Sequence, residues 1–147
     1  MPIYFYSTRG EYGSFSNFSA HGFELDGEYW PTTEHYFQAQ KFPGTPQVDL
    51  IRQAKTPKDA AKTGRDRSHP LRPDWEQVKD DIMGKAVLRK FETHGDIRET
   101  LLATDESIVE NSPIDYYWGC GKDGSGKNML GQILMEVREI LRSRTPD

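Results

Sequence analysis

The sequence predicts an α+β fold that is mostly helical and carries a small antiparallel sheet. Three observations support this prediction. Apolar residues recur at helical spacing in several long segments of the chain. Short runs of β-branched and aromatic residues lie near its start. The dipeptide Asp26-Gly27 separates two such runs, and this pair of residues favours a two-residue hairpin turn.

The predicted strands are short. Residues 3–6 favour a strand, and the hairpin pairs Phe23–Leu25 with Glu28–Trp30. Two more short strands are expected at residues 107–110 and 116–118. The predicted sheet is therefore a minor part of the fold.

Helices account for most of the remaining chain, and we predict them at residues 32–42, 47–54, 58–63, 75–93, 96–103 and 128–142. Thr56 is the expected N-cap of the third helix, with Pro57 at its first position and Gly64 after its end. Asp74 is expected to cap the long fourth helix. The residues of that helix that should point inward are Val78, Ile82, Ala86 and Phe91.

The composition limits the possible class of protein. A chain of 147 residues is expected to form a single domain spanning residues 1–147. A net charge of -4 argues against non-specific binding to nucleic acid, which needs a basic face. The single cysteine, Cys120, excludes an internal disulfide and suits a reducing compartment. Without a long apolar run, the protein is expected to be cytoplasmic and to bind no membrane.

A polar stripe on the first predicted helix is the leading candidate site. Glu34, Gln38 and Lys41 stand at i, i+4 and i+7 and would share one face of a helix. A solvated helix surface would also explain such a pattern. Aromatic neighbours favour a site instead, because an apolar environment raises the pKa of a carboxyl group and suits it to acid catalysis.

Two further segments are rich in groups that bind anions. Residues 121–128 read G-x-x-x-x-G-K-N, but Asn128 replaces the hydroxyl of a phosphate-binding P-loop, and too little chain follows for the required sheet. A glycine-rich turn with free N–H groups and Lys127 remains suited to an anion, although a flexible surface turn is equally consistent. In the second segment, Arg65 and Arg67 either clamp a phosphate or form a solvated surface.

The remaining candidates are two polar residues among aromatic ones. Asn17, between Phe15 and Phe18, either reads a base or ribose edge or caps a turn. Asp115 precedes a row of aromatic residues and supplies a second acid. The histidines lack the spacing of a zinc site and Cys120 has no partner cysteine, so no metal is expected.

Four blocks of the sequence together resemble the YbiA-like, or NADAR, family. They read FYSTxxEYGxFSNF, WPTTEHYFQAQKF, GRDRSxPLRPDWExVK and YYWGxGxDGxGKNxLGxxLMEVRE. The resemblance extends over nearly the whole chain and implies a YbiA-like fold. It also implies an N-glycosidase that cleaves the base–ribose bond of early riboflavin-pathway intermediates, while other members of the family remove ADP-ribose from guanine bases.

The resemblance also assigns roles to individual residues. It places the essential acid at Glu34, a second acid at Asp115 and a tryptophan that contacts the base at Trp75. The amine that some relatives use covalently would be Lys41. The chain departs from the family pattern at Cys120, where an acidic residue is expected after Tyr-Trp-Gly.

The chemistry of N-glycoside cleavage is consistent with these roles. The reaction develops positive charge on the sugar and negative charge on the leaving nitrogen, so a pair of carboxyl groups suits it. Lys41 either pairs with Glu34 or, when neutral, attacks the opened sugar as a Schiff base. Water is the only co-substrate and no cofactor is implied. The residues expected to bind substrate are Asn17, Gln38, Arg65, Arg67, Trp75, Lys127 and Asn128.

Three hypotheses about the function follow. The first is an N-glycosidase acting on a phosphoribosylated aminopyrimidine. The second is an ADP-ribosyl hydrolase acting on guanine, for which nucleic acid would be a partner only as the modified substrate. The third is a module that binds ADP-ribose or NAD without chemistry. All three involve a nucleotide-like, phosphate-bearing ligand.

Overall fold

The computed structural model describes residues 1–144 of the chain. In chain order, its strands and helices are β1 (Ile3–Phe5), β2 (Phe23–Leu25), β3 (Glu28–Trp30), α1 (Thr33–Ala39), α2 (Gln47–Arg52), α3 (Pro57–Gly64), α4 (Trp75–Thr93), α5 (Gly95–Leu102), β4 (Ile108–Glu110) and α6 (Met129–Arg144). The mostly helical α+β class predicted from the sequence is confirmed.

The strands form two separate pairs. β2 and β3 are antiparallel, with Phe23 opposite Trp30, as the Asp-Gly turn predicts. β1 and β4 are parallel instead, with Ile3 opposite Ile108. The predicted small antiparallel sheet is therefore confirmed at the hairpin. The parallel β1–β4 pair was not predicted, because its partners are far apart in sequence and no local pattern connects them.

The chain divides into two compact units, which we describe separately. The central unit comprises Asn17–Lys90, and the terminal unit comprises Met1–Ser16 together with the chain from Phe91 onward. α4 begins in the central unit and ends in the terminal unit.

The core of the central unit is built around α1. Trp30 and Tyr36 meet edge to face, with ring centroids 5.2 Å apart, and both are almost fully buried. The other buried members of this core are Phe23, Ala39, Phe42, Ile51, Ala60 and Ala86. They come from the hairpin, the four helices of the unit and the turn after α1, so α1 is enclosed and its orientation is fixed.

The turn of the hairpin also holds α1. Asp26 and Gly27 both have positive φ, at 56° and 81°, which a two-residue hairpin turn requires. The Asp26 carboxylate accepts a hydrogen bond from the Tyr36 hydroxyl at 2.7 Å and another from Lys85 Nζ at 2.7 Å. One turn residue therefore connects the hairpin to both α1 and α4.

α1 is shorter than predicted. It ends at Ala39 with Gln40 as its C-cap, so Lys41 and Phe42 lie outside it. The Lys41 N–H still bonds to the Gln38 carbonyl, at 3.3 Å, which forms one tight turn. Pro43 explains the ending, because a proline disfavours helical backbone in the residue before it.

The other helices of the central unit agree with the prediction apart from details at their ends. Thr56 caps α3 through its side chain, and Pro57 begins it, but Gly64 is its last residue rather than the one after it. α4 spans the predicted residues. The carboxylate of Asp74, the predicted cap, binds Arg72 at 2.6 Å. The helix begins at the backbone carbonyl of Asp74, which accepts the Val78 N–H at 3.2 Å.

The burial of α4 differs in part from the predicted inward face. Ala86 and Phe91 are buried, as expected, whereas Val78 and Ile82 are only half-buried. Met83 and Val87 complete its buried face. The buried face is therefore rotated slightly from the predicted one.

The terminal unit is built on the β1–β4 pair, against which α6 packs. The Phe15 ring contacts the rings of Phe5 and Phe91, with centroids 5.9 and 6.0 Å apart. From α6, the buried Arg138 donates to the Thr104 hydroxyl at 2.9 Å and to the Glu106 carbonyl at 2.8 Å. These bonds attach α6 to the segment that leads into β4.

Residues 116–118 form turns rather than the predicted strand. Their carbonyls accept hydrogen bonds from backbone N–H groups at residues 127, 129 and 130, which no strand prediction from local sequence includes. Within residues 1–144, no helix is both long and apolar enough to span a membrane. The same part of the chain contains no group of three or more His, Cys, Asp or Glu side chains placed to hold a metal ion.

Candidate active site

The first turn of α1 carries a buried carboxylate. Glu34 is 6% exposed, and one helical turn later Gln38 is 2% exposed. Gln38 Nε2 donates a hydrogen bond to Glu34 Oε2 at 2.7 Å. The predicted i, i+4 relation therefore produces a contact, and it lies inside the protein rather than on a solvated face.

Asn17 lies beside Glu34. Its backbone carbonyl accepts the Glu34 N–H at 3.1 Å, and its side-chain Nδ2 lies 3.5 Å from Met83 Sδ. Asn17 Oδ1 and Gln38 Oε1 are both buried, and neither has a hydrogen-bond partner among residues 1–144. Two amide oxygens without partners therefore accompany the buried acid, and such groups are uncommon in folded proteins.

Lys41 lies in an aromatic environment. It is 6% exposed, and its Nζ lies 5.6 Å from the centroid of the Phe37 ring and 5.7 Å from that of Trp75. The two rings pack together with centroids 5.1 Å apart. Burial, together with the charge of Arg67, lowers the pKa of Lys41 to about 8, and Glu34 acts in the opposite direction.

Several cations surround Lys41. Arg65, Arg67 and Lys79 each lower its pKa through their charge. Arg67 is exposed and donates to the Gly64 carbonyl at 3.0 Å, while Lys79 binds Glu76 at 2.7 Å. A concentration of positive charge in an acidic protein favours an anionic group of a ligand, such as a phosphate.

Lys79 is a member of this group that sequence reasoning missed. It stands on α4 four residues after Trp75, which places both on the same side of the helix. The spacing of four residues between Trp75 and Lys79 was the signal in the sequence that could have identified Lys79 as a candidate.

His35 shows how a polar neighbour of Glu34 is used structurally. Its Nδ1 lies 2.7 Å from the Thr32 hydroxyl and its Nε2 lies 3.0 Å from the Ala54 carbonyl. Thr32 also caps α1 by accepting the His35 N–H at 3.2 Å. Burial lowers the pKa of His35, and the neutral ring connects α1 to the segment after α2.

In the terminal unit, the glycine loop, Gly121–Asn128, does not have the predicted free N–H groups. The N–H groups of Gly126, Lys127 and Asn128 donate to carbonyls of residues 116–120 at 2.6 to 3.0 Å. The first N–H groups of α6, at Met129 and Leu130, donate to the Tyr117 and Trp118 carbonyls at 2.9 and 3.0 Å. Contrary to the prediction, the N–H groups of residues 126–130 are therefore not free, because backbone carbonyls already accept their hydrogen bonds. Binding of an anion by Lys127 stays a prediction.

The two predicted binding residues of the glycine loop have different surroundings. Lys127 is exposed, and its Nζ lies 5.3 Å from the centroid of the Tyr117 ring. Asn128 has φ of 52°, its Oδ1 accepts from the Glu110 N–H at 2.8 Å, and its Nδ2 donates to the Ile108 carbonyl at 2.8 Å. Since β4 engages both ends of the Asn128 amide, we leave this residue out of the proposed binding site.

Asp115 is half-buried and shapes its own turn. Its Oδ1 accepts the N–H groups of Tyr117 at 2.9 Å and Trp118 at 2.8 Å. These bonds hold the carboxylate in a fixed direction. They are consistent both with a turn cap and with a positioned acid.

Cys120 is half-buried, with its thiol 3.5 Å from Asn111 Oδ1 and 3.4 Å from the Gly121 carbonyl. A carboxylate in place of the thiol would have no proton to donate to either of these oxygen atoms.

The structure thus distributes the predicted residues between the two units. The central unit brings together a set that we call the α1 cluster, which consists of Asn17, Glu34, Gln38, Lys41, Arg65, Arg67 and Trp75. The terminal unit contains Asp115, Lys127 and Asn128.

Comparison with known proteins gives matches over nearly the whole chain. A family model of the NADAR domain matches residues 4–142. An N-glycosidase of Nostoc punctiforme is 54% identical over an alignment of 147 residues, gaps included, which covers 97% of this chain and 94% of that protein. The N-glycosidase YbiA of Escherichia coli is 53% identical over 140 residues, which cover 95% of this chain and 88% of that protein.

More distant and structural matches agree. The chloroplastic riboflavin biosynthesis protein PYRR of Zea mays is 42% identical over an alignment of 160 residues, gaps included, which covers 98% of this chain but 26% of that protein. The NMR structure of E. coli YbiA superimposes with a TM-score of 0.90 at 51% identity, covering 97% of this chain and 85% of that one. The resemblance noted in the sequence is thereby confirmed, and the chain belongs to the NADAR family.

Proposed function

We propose that the protein is an N-glycosidase that hydrolyses the base–ribose bond of a phosphoribosylated aminopyrimidine. The observation that supports this most strongly is the buried pair of Glu34 and Gln38 beside Lys41, an amine whose pKa is lowered to about 8. Relatives that are 54% and 53% identical to this chain over the aligned residues are named N-glycosidases. The riboflavin-biosynthesis name of the maize relative supports the choice of base.

In the proposed reaction, water adds to C1′ of the ribose while the base leaves with a proton. The reaction is suited to two carboxyl groups, one near the attacking water and the other near the leaving base. Glu34 supplies one of them in the α1 cluster, and Asp115 is the second acid that the family resemblance implies. Arg65, Arg67 and Lys79 bind the phosphate of the ribose, since their combined charge suits a dianion.

Lys41 and Trp75 make up the apolar side of the proposed site. The Trp75 ring is 6% exposed and contacts Phe37 and the Lys41 amine, so we assign it to lining the site rather than to open stacking on the base. A neutral Lys41 would attack the aldehyde of the opened sugar and lose water to form a Schiff base. A charged Lys41 would pair with Glu34, and trapping with borohydride separates these two roles.

Mass spectrometry of the products tests the proposal. Wild-type protein incubated with the phosphoribosylamino-pyrimidine should release free base and ribose 5-phosphate, and Glu34→Gln should lower the rate by about 100- to 10,000-fold. The exposed Glu24 provides a matched control, because Glu24→Gln removes a carboxylate from the same unit without touching the α1 cluster. Full activity in Glu34→Gln would contradict the proposal.

A second candidate function is removal of ADP-ribose from guanine. The observation in its favour is a surface pocket of about 460 Å³ beside Arg65, lined also by Lys58, Asp59, Lys62 and Asp66. Its lysines offer a place for a second phosphate, which ADP-ribose has and ribose 5-phosphate lacks. The affinities for ADP-ribose and ribose 5-phosphate, measured in competition, distinguish the two substrates. If ADP-ribose uses this pocket, Lys58→Ala/Lys62→Ala should weaken its binding relative to that of ribose 5-phosphate. Tight binding without any product would favour a module that binds ADP-ribose without chemistry.

A further inference from the structure

We propose that Gly64 is a positioning residue that, through Gln38, holds Glu34 in its ionised form. The inference rests on the proposed function only in giving Glu34 a chemical role. The contacts that carry it lie entirely within the central unit, between α1 and the last residue of α3.

Gly64 packs directly against the Gln38 side chain. A Cβ atom at Gly64 would lie 2.1 Å from Gln38 Oε1 and 2.8 Å from both Cβ and Cδ of the same side chain. A methyl group at Gly64 would therefore displace the whole glutamine, not only its end. Gln38 is 2% exposed, so it has little open space into which to move.

The contact determines which end of the amide faces the carboxylate. Gln38 Oε1 lies against Gly64 without a hydrogen-bond partner among residues 1–144, and Nε2 donates to Glu34 Oε2 at 2.7 Å. Rotating the amide by half a turn would place an oxygen against a carboxylate oxygen and repel an ionised Glu34. The observed orientation fits an ionised acid, because an N–H donor stabilises the charged form.

The charges around this pair act in the same direction. Lys41, in the turn after α1, interacts with Glu34 through its charge. Arg65 and Arg67, beyond α3, and Lys79, on α4, add positive charge around Lys41. Glu34 also lies in the first turn of α1, where the helix dipole favours a negative charge.

An ionised Glu34 is suited to one of the two carboxyl roles. It would accept the proton of the attacking water as the O–C1′ bond forms, while another group donates the proton that leaves with the base. The inference thereby assigns the role of base to Glu34. It also gives Gln38 a positioning role in place of the substrate contact predicted from the sequence.

The test measures the ionisation of Glu34 directly. Protein labelled with ¹³C-glutamate gives a carboxyl resonance for each glutamate, and the Glu34 signal is identified by its absence in Glu34→Gln. We expect the titration midpoint of Glu34 to move to higher pH by about one unit in Gly64→Ala, because the donated hydrogen bond is lost. Gln38→Met, which keeps the volume but removes the donor, should cause the same shift and serves if Gly64→Ala fails to fold.

Two controls separate positioning from a general effect on the fold. Gly84, in the middle of α4, has nothing within 4 Å of where its Cβ would lie, so Gly84→Ala should leave the Glu34 titration unchanged. In a Gln38→Met background, Gly64→Ala should cause no further shift, because both changes act on one hydrogen bond. The proposal would be overturned if Gly64→Ala shifted the Glu34 titration midpoint equally in the wild type and in Gln38→Met.

The outcome is independent of the substrate. An unchanged Glu34 midpoint in Gly64→Ala and in Gln38→Met would overturn the inference even if the wild type releases base. A shifted midpoint in a protein that releases no base would support the inference and contradict the proposed function. Where activity is present, Gly64→Ala should shift the acidic limb of the pH profile of kcat in the same direction as the titration.

Discussion

The α1 cluster and the glycine loop were both predicted as places for an anionic ligand, and the structure shows that they differ. In the α1 cluster, polar atoms are buried and two amide oxygens have no partner within residues 1–144. At the end of the glycine loop and the start of α6, the N–H groups of residues 126–130 all donate to carbonyls of residues 116–120. One region has hydrogen-bonding capacity available for a ligand, and the other has used it to hold α6 in place.

The difference shows that residue type alone does not identify a site. Glycine, lysine and asparagine before a helix suggest anion binding only if the N–H groups remain available. A buried amide oxygen without a partner is costly, so it indicates either a ligand or a function that offsets the cost. Substitutions should accordingly affect activity in the α1 cluster and stability in the glycine loop.

After Glu34→Gln, the largest effect is expected from Lys41→Met. Turnover should fall by about 100-fold or more if the amine takes part in the reaction. Stability should rise at pH 7 by about 2 kcal/mol, because burial of the ammonium lowers the pKa of Lys41 from 10.5 to about 8 and so destabilises the folded state. The gain should shrink as pH rises from 8 to 10.5, where the unfolded chain also loses its proton.

Activity assays and urea unfolding at several pH values measure both effects of Lys41→Met. The exposed Lys55 gives a matched control, since Lys55→Met should change neither quantity. A loss of stability in Lys41→Met at pH 7 would mean that the amine supports the fold, and the contrast between the two regions would fail.

Asp115→Asn should lower turnover by about 10- to 100-fold and leave stability nearly unchanged. The asparagine keeps the Oδ1 atom that accepts the N–H groups of Tyr117 and Trp118, but it removes the charge. Asp115→Ala should lose stability as well, by about 1 kcal/mol, since it removes both bonds. Wild-type turnover in Asp115→Asn would mean that Asp115 only caps its turn and takes no part in the reaction.

In the terminal unit, Gly131→Ala should lower the free energy of unfolding by about 1–3 kcal/mol. A Cβ atom there would lie 2.1 Å from the Ile108 carbonyl oxygen and 2.3 Å from Asn128 Nδ2, which are the atoms that attach α6 to β4. Gly84→Ala is the matched control, because it should stabilise its helix by about 1 kcal/mol. Urea unfolding of both variants tests the contrast, and equal stability would contradict it.

The smallest effect should come from His35, a satisfied polar residue inside α1. Burial lowers its pKa, so the unfolded chain takes up a proton at a pH where the folded chain does not. Its contribution to stability is full above about pH 6.5 and should decline as pH falls below that value. The slope of unfolding free energy against pH should flatten in His35→Gln and persist in His69→Gln.

Elements with local signals were predictable from the sequence. Asp26-Gly27 placed the hairpin, and the helical periodicity gave the bounds of α4. The end of α1 was misplaced because the stripe from Glu34 to Lys41 continues across a turn. The parallel β1–β4 pair depends on contacts between distant segments, and no spacing within either strand indicates its partner.

The candidate site was predictable to a similar extent. The spacing of Glu34 and Gln38 on one helix correctly placed them together. The contact between Gly64 and Gln38 depends on how closely α3 approaches α1, which is a property of packing. Packing also decides whether the N–H groups of the glycine loop are free. Their partners are carbonyls of residues 116–120, which no local sequence pattern identifies.

The turn of the β2–β3 hairpin has a practical consequence for protein engineering. Hairpin tips are commonly chosen for grafting a peptide or attaching a fluorophore because most of them tolerate insertions. Here Asp26 binds both Tyr36 and Lys85, so an insertion would detach α1 and α4 from the hairpin. The turns at Gly44 and Gly124, which have open space around them, are better places for an insertion beside the glycine. The glycines themselves should stay, because their positive φ, 76° and 81°, would strain another residue.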